Sequence, residues 1–209
     1  MNRISIAVSR RDLLVAAVLG LAAAPAWAGE FAYRGWRFNT GPIHDQLSDE
    51  FVRSLQAQID IVESVDLKPL IKAFFQGVPK EIVTTTPHGP GAYDFGRHRM
   101  YLSAEIDPPG NPVLLHELLH AYHDQRLPGG VRNHQVIYWY DQAKLAGLFP
   151  AQSYMLKNAS EFFAMCVSVV LWGHSARPPS TRETMRRALP DMYDWIVTEF
   201  TATGLVAPA

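Results

Sequence analysis

The sequence predicts an α+β protein, a predominantly helical body with a small antiparallel sheet, on three observations. Apolar residues recur at spacings of three and four from Asp45 to about Val65, and again through most of the chain beyond Asn111. Short β-prone runs bounded by Gly and Pro lie between those stretches. Of the 209 residues, 48% are hydrophobic and 19% charged, which supplies enough apolar area for a core and does not describe a disordered chain.

Residues 1–28 read as an export signal. Arg3, Arg10 and Arg11 precede the apolar run Leu13 to Ala24, and Ala26-Trp27-Ala28 offers small residues where a signal peptidase cuts. Ser9-Arg10-Arg11-Asp12-Leu13-Leu14 resembles the twin-arginine address, with a general secretory signal as the alternative. The apolar run falls well short of the roughly 18 to 20 residues of a spanning helix. The expectation is a bacterial protein exported to the periplasm or secreted, without a stable membrane anchor once the signal is removed. Residues 29–209 then form one domain, since no repeat, low-complexity block or long linker interrupts them.

Phe31, Tyr33, Trp36 and Phe38 mark an extended strand at its start. A helix follows from Asp45 to about Val65 on Leu47, Phe51, Leu55, Ile59 and Val62, and a second from Leu67 to Gln76, stopped by Gly77. Strands are expected at Glu81 to Thr86 and Arg97 to Ser103, joined through His88-Gly89-Pro90-Gly91 by a hairpin or broad loop. Five helices complete the chain: Asn111 to Gln125, His134 to Ala146, Asn158 to Trp172, Thr181 to Ala188 and Asp191 to Thr201, each closed by a Pro or Gly break.

Charge and cysteine content narrow the chemistry. With 19 Lys+Arg against 20 Asp+Glu, the net charge of -1 gives no electrostatic support for a nucleic-acid partner. Cys166 stands alone, so an intramolecular disulfide, a C-x-x-C redox pair and a cysteine-rich metal knuckle are all excluded. Its neighbours Met165, Val167 and Val170 predict inert core packing. Any metal site has to use His and carboxylates.

His116-Glu117-Leu118-Leu119-His120 supplies such a site. Residues four apart on a helix stand one turn above each other, about 40° apart in projection, so two imidazoles reach one ion. Glu117 then lies beside the metal, where it can take a proton from a water whose pKa the ion has lowered. Leu115, Leu118, Leu119 and Tyr122 form an apolar stripe, while His116, His120, His123 and Asp124 fall on the other side. The plainer alternative is an amphipathic helix with hydrated His and Glu. A catalytic zinc site takes three protein ligands, and the third has to come from elsewhere. His123 is poorly spaced from His120 for chelation and is free to touch solvent, an outer group or substrate. Glu161 is the strongest candidate, because it opens a very apolar helix in which an ionised group needs a partner. The alternative is a capping arrangement in which Glu161 reaches back to the backbone N–H of Asn158.

Together, His116-Glu117-x-x-His120, Glu161 on a separate downstream helix and Tyr154 seven residues before it resemble the gluzincin family of zinc metallopeptidases, as seen in the catalytic domain of anthrax lethal factor and in Pro-Pro endopeptidases. The resemblance covers residues 95–172. It implies a zincin-like fold with the sheet beside the H-E-x-x-H helix, and Zn2+ held by His116, His120 and Glu161. It also implies Glu117 as general base and Tyr154 as the group that stabilises the oxyanion. A phenol donating to the tetrahedral intermediate is a sound physical role, and packing alone is the alternative for Tyr154. The thermolysin branch carries an Asp four residues after its Glu ligand, where this chain has Met165. Asp124 is therefore the candidate to orient a ligand histidine, against an ordinary helix-surface charge.

Three lesser expectations concern the cleft. Arg97-His98-Arg99-Met100-Tyr101-Leu102 is either the sheet-edge strand against which a peptide lies or an ordinary buried strand. His134, Tyr138 and Tyr140 either line the cleft or simply pack. The function expected is hydrolysis of a protein or peptide substrate. The alternative is a periplasmic zinc-binding or scaffold protein without turnover.

Overall fold

The first aromatic segment folds back on itself in the computed structural model, which describes residues 29–204 apart from His88 and Pro109. The export signal predicted over residues 1–28 lies outside the described residues. Instead of one strand, β1 (Glu30–Tyr33) and β2 (Trp36–Asn39) pair as an antiparallel hairpin with Phe31 opposite Phe38. Arg34 and Gly35 both take positive φ, 49° and 81°, the tight turn whose twist suits a two-residue hairpin. Trp36 and Phe38 are fully buried, as the alternation of a half-buried strand requires.

Helix α1 (Asp49–Ser64) begins later than Asp45, because Gly41–Gln46 is spent on a 3-10 turn and Ser48 caps the helix by accepting from the Phe51 N–H at 3.1 Å. Asp49 and Glu50 add favourable charge at its N-terminus. Its apolar face, Phe51, Leu55, Ile59 and Val62, is buried as its periodicity predicts. Helix α2 (Pro69–Gly77) follows.

The sheet is mixed, not antiparallel. β3 (Lys80–Val83) and β5 (Arg99–Ser103) run parallel, and β4 (Gly91–Asp94) pairs antiparallel with β5, giving the order β1-β2-β3-β5-β4. β2 also meets β3 in parallel. The reason lies in the stretch expected to be a connection: β4 carries the chain back along the outer edge, so β5 inserts beside β3 in the same direction. Gly91-Ala92-Tyr93-Asp94 has little β propensity, and only pairing with β5 makes it a strand. The outer strand on this side is therefore β4; of the stretch Arg97 to Leu102, Arg97 and His98 fall in the β4–β5 turn and only the part from Arg99 onward lies inside the sheet as β5.

Beyond the sheet come α3 (Val113–Arg126), α4 (His134–Leu145), α5 (Ala159–Trp172), α6 (Arg182–Ala188) and α7 (Pro190–Phe200), close to the predicted bounds. Helix α3 is the centre of the molecule, packed on α5, on β4 and on α1. Leu115, Leu118, Leu119 and Tyr122 are buried as expected, but so is much of the other face. His123 is completely buried, its ring 4.6 Å from that of Phe163 on α5, and neither ring nitrogen has a partner among the described residues. The site helix is thus a core helix, and its polar residues sit in a gap between α5 and the sheet edge. Cys166 is buried in α5, as its apolar neighbours predict.

Candidate metal centre

Two elements bring the three candidate ligand side chains together. The i, i+4 spacing on α3 aims His116 and His120 to one side, their rings 4.7 Å apart and nearly perpendicular. Opposite them, the first turn of α5 presents Glu161. Asn158 caps α5, its Oδ1 accepting from the Glu161 N–H at 2.9 Å, so the cap uses Glu161's backbone and leaves its carboxylate to face the histidines. The capping arrangement in which Glu161 reaches back to the Asn158 N–H is not formed among the described residues; the carboxylate turns to His116 and His120 instead.

Three donor atoms form a near-equilateral triangle. His116 Nε2 lies 3.1 Å from His120 Nε2 and 3.2 Å from Glu161 Oε2, and His120 Nε2 lies 3.4 Å from the same oxygen. For zinc bonds of about 2.0–2.1 Å in a tetrahedron, neighbouring ligand atoms sit about 3.3–3.4 Å apart. Two imidazoles and one carboxylate are also the donor chemistry zinc takes in open sites, so the residues fit the ion. All three side chains are largely buried. Burial works to raise the Glu161 pKa, but hydrogen bonds from His116 and His120 outweigh it and hold the carboxyl well below its ordinary range. His120 moves the other way: burial lowers it, and Glu161 together with the charge of Glu117 raises it above its ordinary value.

Glu117 is buried at 7% exposure and borders two cavities that meet at Gly91, Glu117 and Tyr154. The smaller, about 120 Å³, continues past His116 to Arg177, and the larger, about 510 Å³, past His120 and Glu161 to Phe95. Tyr154 stands on a 3-10 turn, Tyr154–Leu156, which Tyr140 steadies by donating to the Leu156 carbonyl at 3.0 Å. Burial, then the charge of Glu161 and hydrogen bonding to it, push the Tyr154 phenol above its ordinary pKa, so it remains a protonated donor.

The expectations for neighbouring residues divide. Asp124 does not orient a ligand histidine: it accepts from the Tyr93 hydroxyl at 2.9 Å and pairs with His98 Nδ1 at 2.8 Å, tying α3 to the β4–β5 turn. His120 Nδ1 is buried without a partner among the described residues. His120 is steadied instead by ring contacts, from His116 and from Phe95, 6.0 Å away edge to face. Phe95 follows β4 and has no signal in the sequence. Nor do His134 and Tyr138 line the cleft: His134 is exposed, Tyr138 is 56% exposed, and Ile137 is the residue of α4 that borders the larger cavity. Comparison of the chain with protein-family models, with curated proteins and with solved structures returned no match.

Proposed function

We propose that this protein is an exported zinc metallopeptidase of the gluzincin type, with His116, His120 and Glu161 as metal ligands. The reading is carried by one observation: a His–His–Glu triangle of zinc-sized edges, with Glu117 beside it at the junction of two cavities. When bound, zinc supplies Lewis acidity, which makes water a better acid and polarises a carbonyl.

The chain's own residues supply the rest. Glu117 takes a proton from the attacking water as its oxygen bonds to the peptide carbonyl carbon. It returns that proton to the amide nitrogen as the C–N bond breaks. Tyr154 donates a hydrogen bond to the carbonyl oxygen as charge develops there. β4, the outer strand of the sheet, runs beside Glu117 and offers its free edge to an extended peptide, which gains main-chain hydrogen bonds by adding a strand.

The test is the metal content of residues 29–209 after dialysis against a weak chelator, beside Glu161→Ala and His120→Ala, followed by a peptide-library digest. About one zinc per chain, lost in both variants, with cleavage by wild type alone, is the expected result. Zinc without cleavage of any peptide makes the chain a zinc-binding protein without turnover. A folded wild type that refuses zinc overturns the proposal.

A further inference from the structure

We propose that the smaller cavity is a carboxylate pocket, in which Arg177 receives an acidic group of the peptide substrate; the inference rests on the metallopeptidase reading of the adjoining site. Arg177 lies in the segment after α5 and lines this cavity with His116, Glu117 and Tyr154. Arg34, Arg37, Arg97, Arg99, Arg186 and Arg187 each pair with a carboxylate. Arg177, like Arg53, Arg126 and Arg132, has no carboxylate within 4.0 Å among the described residues, and of these it is the one that lines this cavity. Its guanidinium carbon instead sits 5.3 Å from the centre of the Tyr154 ring, a cation–π contact that holds the group beside the proposed oxyanion donor.

Chemistry and size both select a carboxylate. A guanidinium is a planar fork whose paired N–H donors match the two oxygens of a carboxylate, and it is the residue type used where that match matters. Met165 and Val113 give the cavity an apolar wall, while Arg177 itself is solvent-exposed. At about 120 Å³ the space suits one side chain or one chain end rather than a length of peptide, which the cavity of about 510 Å³ on the His120 side can take. Glu117 and Glu161 would repel an acidic group at this centre, and Arg177 is the cation that offsets them on the His116 side.

The acid can belong to an Asp or Glu side chain or to the substrate's C-terminus, and the test separates the two. Three hydroxamates share a zinc-binding group and a short arm, ending respectively in an aspartyl amide, an alanine with a free carboxylate, and an asparaginyl amide. Their affinities for the zinc-loaded protein are measured by calorimetry, without turnover. One acidic probe is expected to bind at least about tenfold tighter than the asparaginyl probe, the effect of a charged hydrogen-bonded pair. The tighter acid identifies the source. Arg177→Gln brings the ratio to about one, Arg177→Lys keeps part of it, and Lys157→Gln, in the larger cavity, keeps it whole. Equal binding of all three probes to wild type, a ratio that survives Arg177→Gln, or one that collapses in Lys157→Gln overturns the pocket and leaves the metal site standing. Binding of none of them overturns the metal site and the pocket together.

Discussion

Gly91 and Glu117 touch so closely that any side chain at position 91 would displace Glu117: a Cβ there would lie 2.7 Å from Glu117 Cγ and 3.0 Å from its Oε1. The backbone at Gly91 is extended strand without positive φ, so the demand is steric, not conformational. Gly91→Ala should therefore retain zinc while moving the Glu117 carboxylate, and a misplacement of about 1 Å costs on the order of 10²-fold in turnover. Kinetics on a cleaved peptide beside metal analysis check it. Wild-type kcat in the alanine variant would mean that Glu117's position does not matter.

Glu117→Gln separates base from ligand. It keeps the size of the side chain and removes its basicity, so turnover should fall by about 10²- to 10⁴-fold with zinc content unchanged. Glu161→Gln should instead lose most of its zinc, because an amide is a poor ligand for this ion. Equal zinc loss in the two variants would show that both carboxylates act on the metal.

Removing the hydroxyl in Tyr154→Phe leaves the ring under Arg177 and Lys157. Zinc should stay, KM should change little, and kcat should fall by about 10²-fold, the usual scale for one donor to a developing oxyanion. A change confined to KM would assign Tyr154 to substrate packing.

His123 makes stability depend on pH. Burial, then the charge of His120, lowers its pKa to about 4, below the ordinary value of 6.5. The unfolded chain then binds the extra proton first, so the stability present above about pH 6.5 is lost as pH falls towards 4. For metal-free protein, urea melts at pH 7.5 and 5 should differ by about 2 kcal/mol more in wild type than in His123→Leu, from that shift alone. Parallel pH profiles for the two proteins would show that His123 does not carry the effect.

Several features were legible because they depend on local spacing. His116 and His120 share a side of α3 by helical geometry alone, and the bounds of α3 to α7 followed from periodicity and from Pro and Gly punctuation. Glu161 could be singled out because a charge at the head of an apolar helix needs a partner. Phe95, Gly91 and Arg177 could not. A phenylalanine after a strand, a glycine in one and an arginine in a loop are ordinary residues until the chain brings them to the site. Asp124 shows the opposite error, since its spacing suited a histidine partner and its actual neighbours, Tyr93 and His98, come from the sheet.

By itself, then, the sequence determined the helices and the paired histidines with their intervening glutamate, set by residues within a turn or two of one another, and its single cysteine ruled out an intramolecular disulfide. Tertiary structure alone decided the direction of the strands, the burial of His123 and the closing of the triangle by Glu161. Those depend on which distant segments pack together. That is settled by the apolar area α3, α5 and the sheet bury jointly, and no local pattern encodes it.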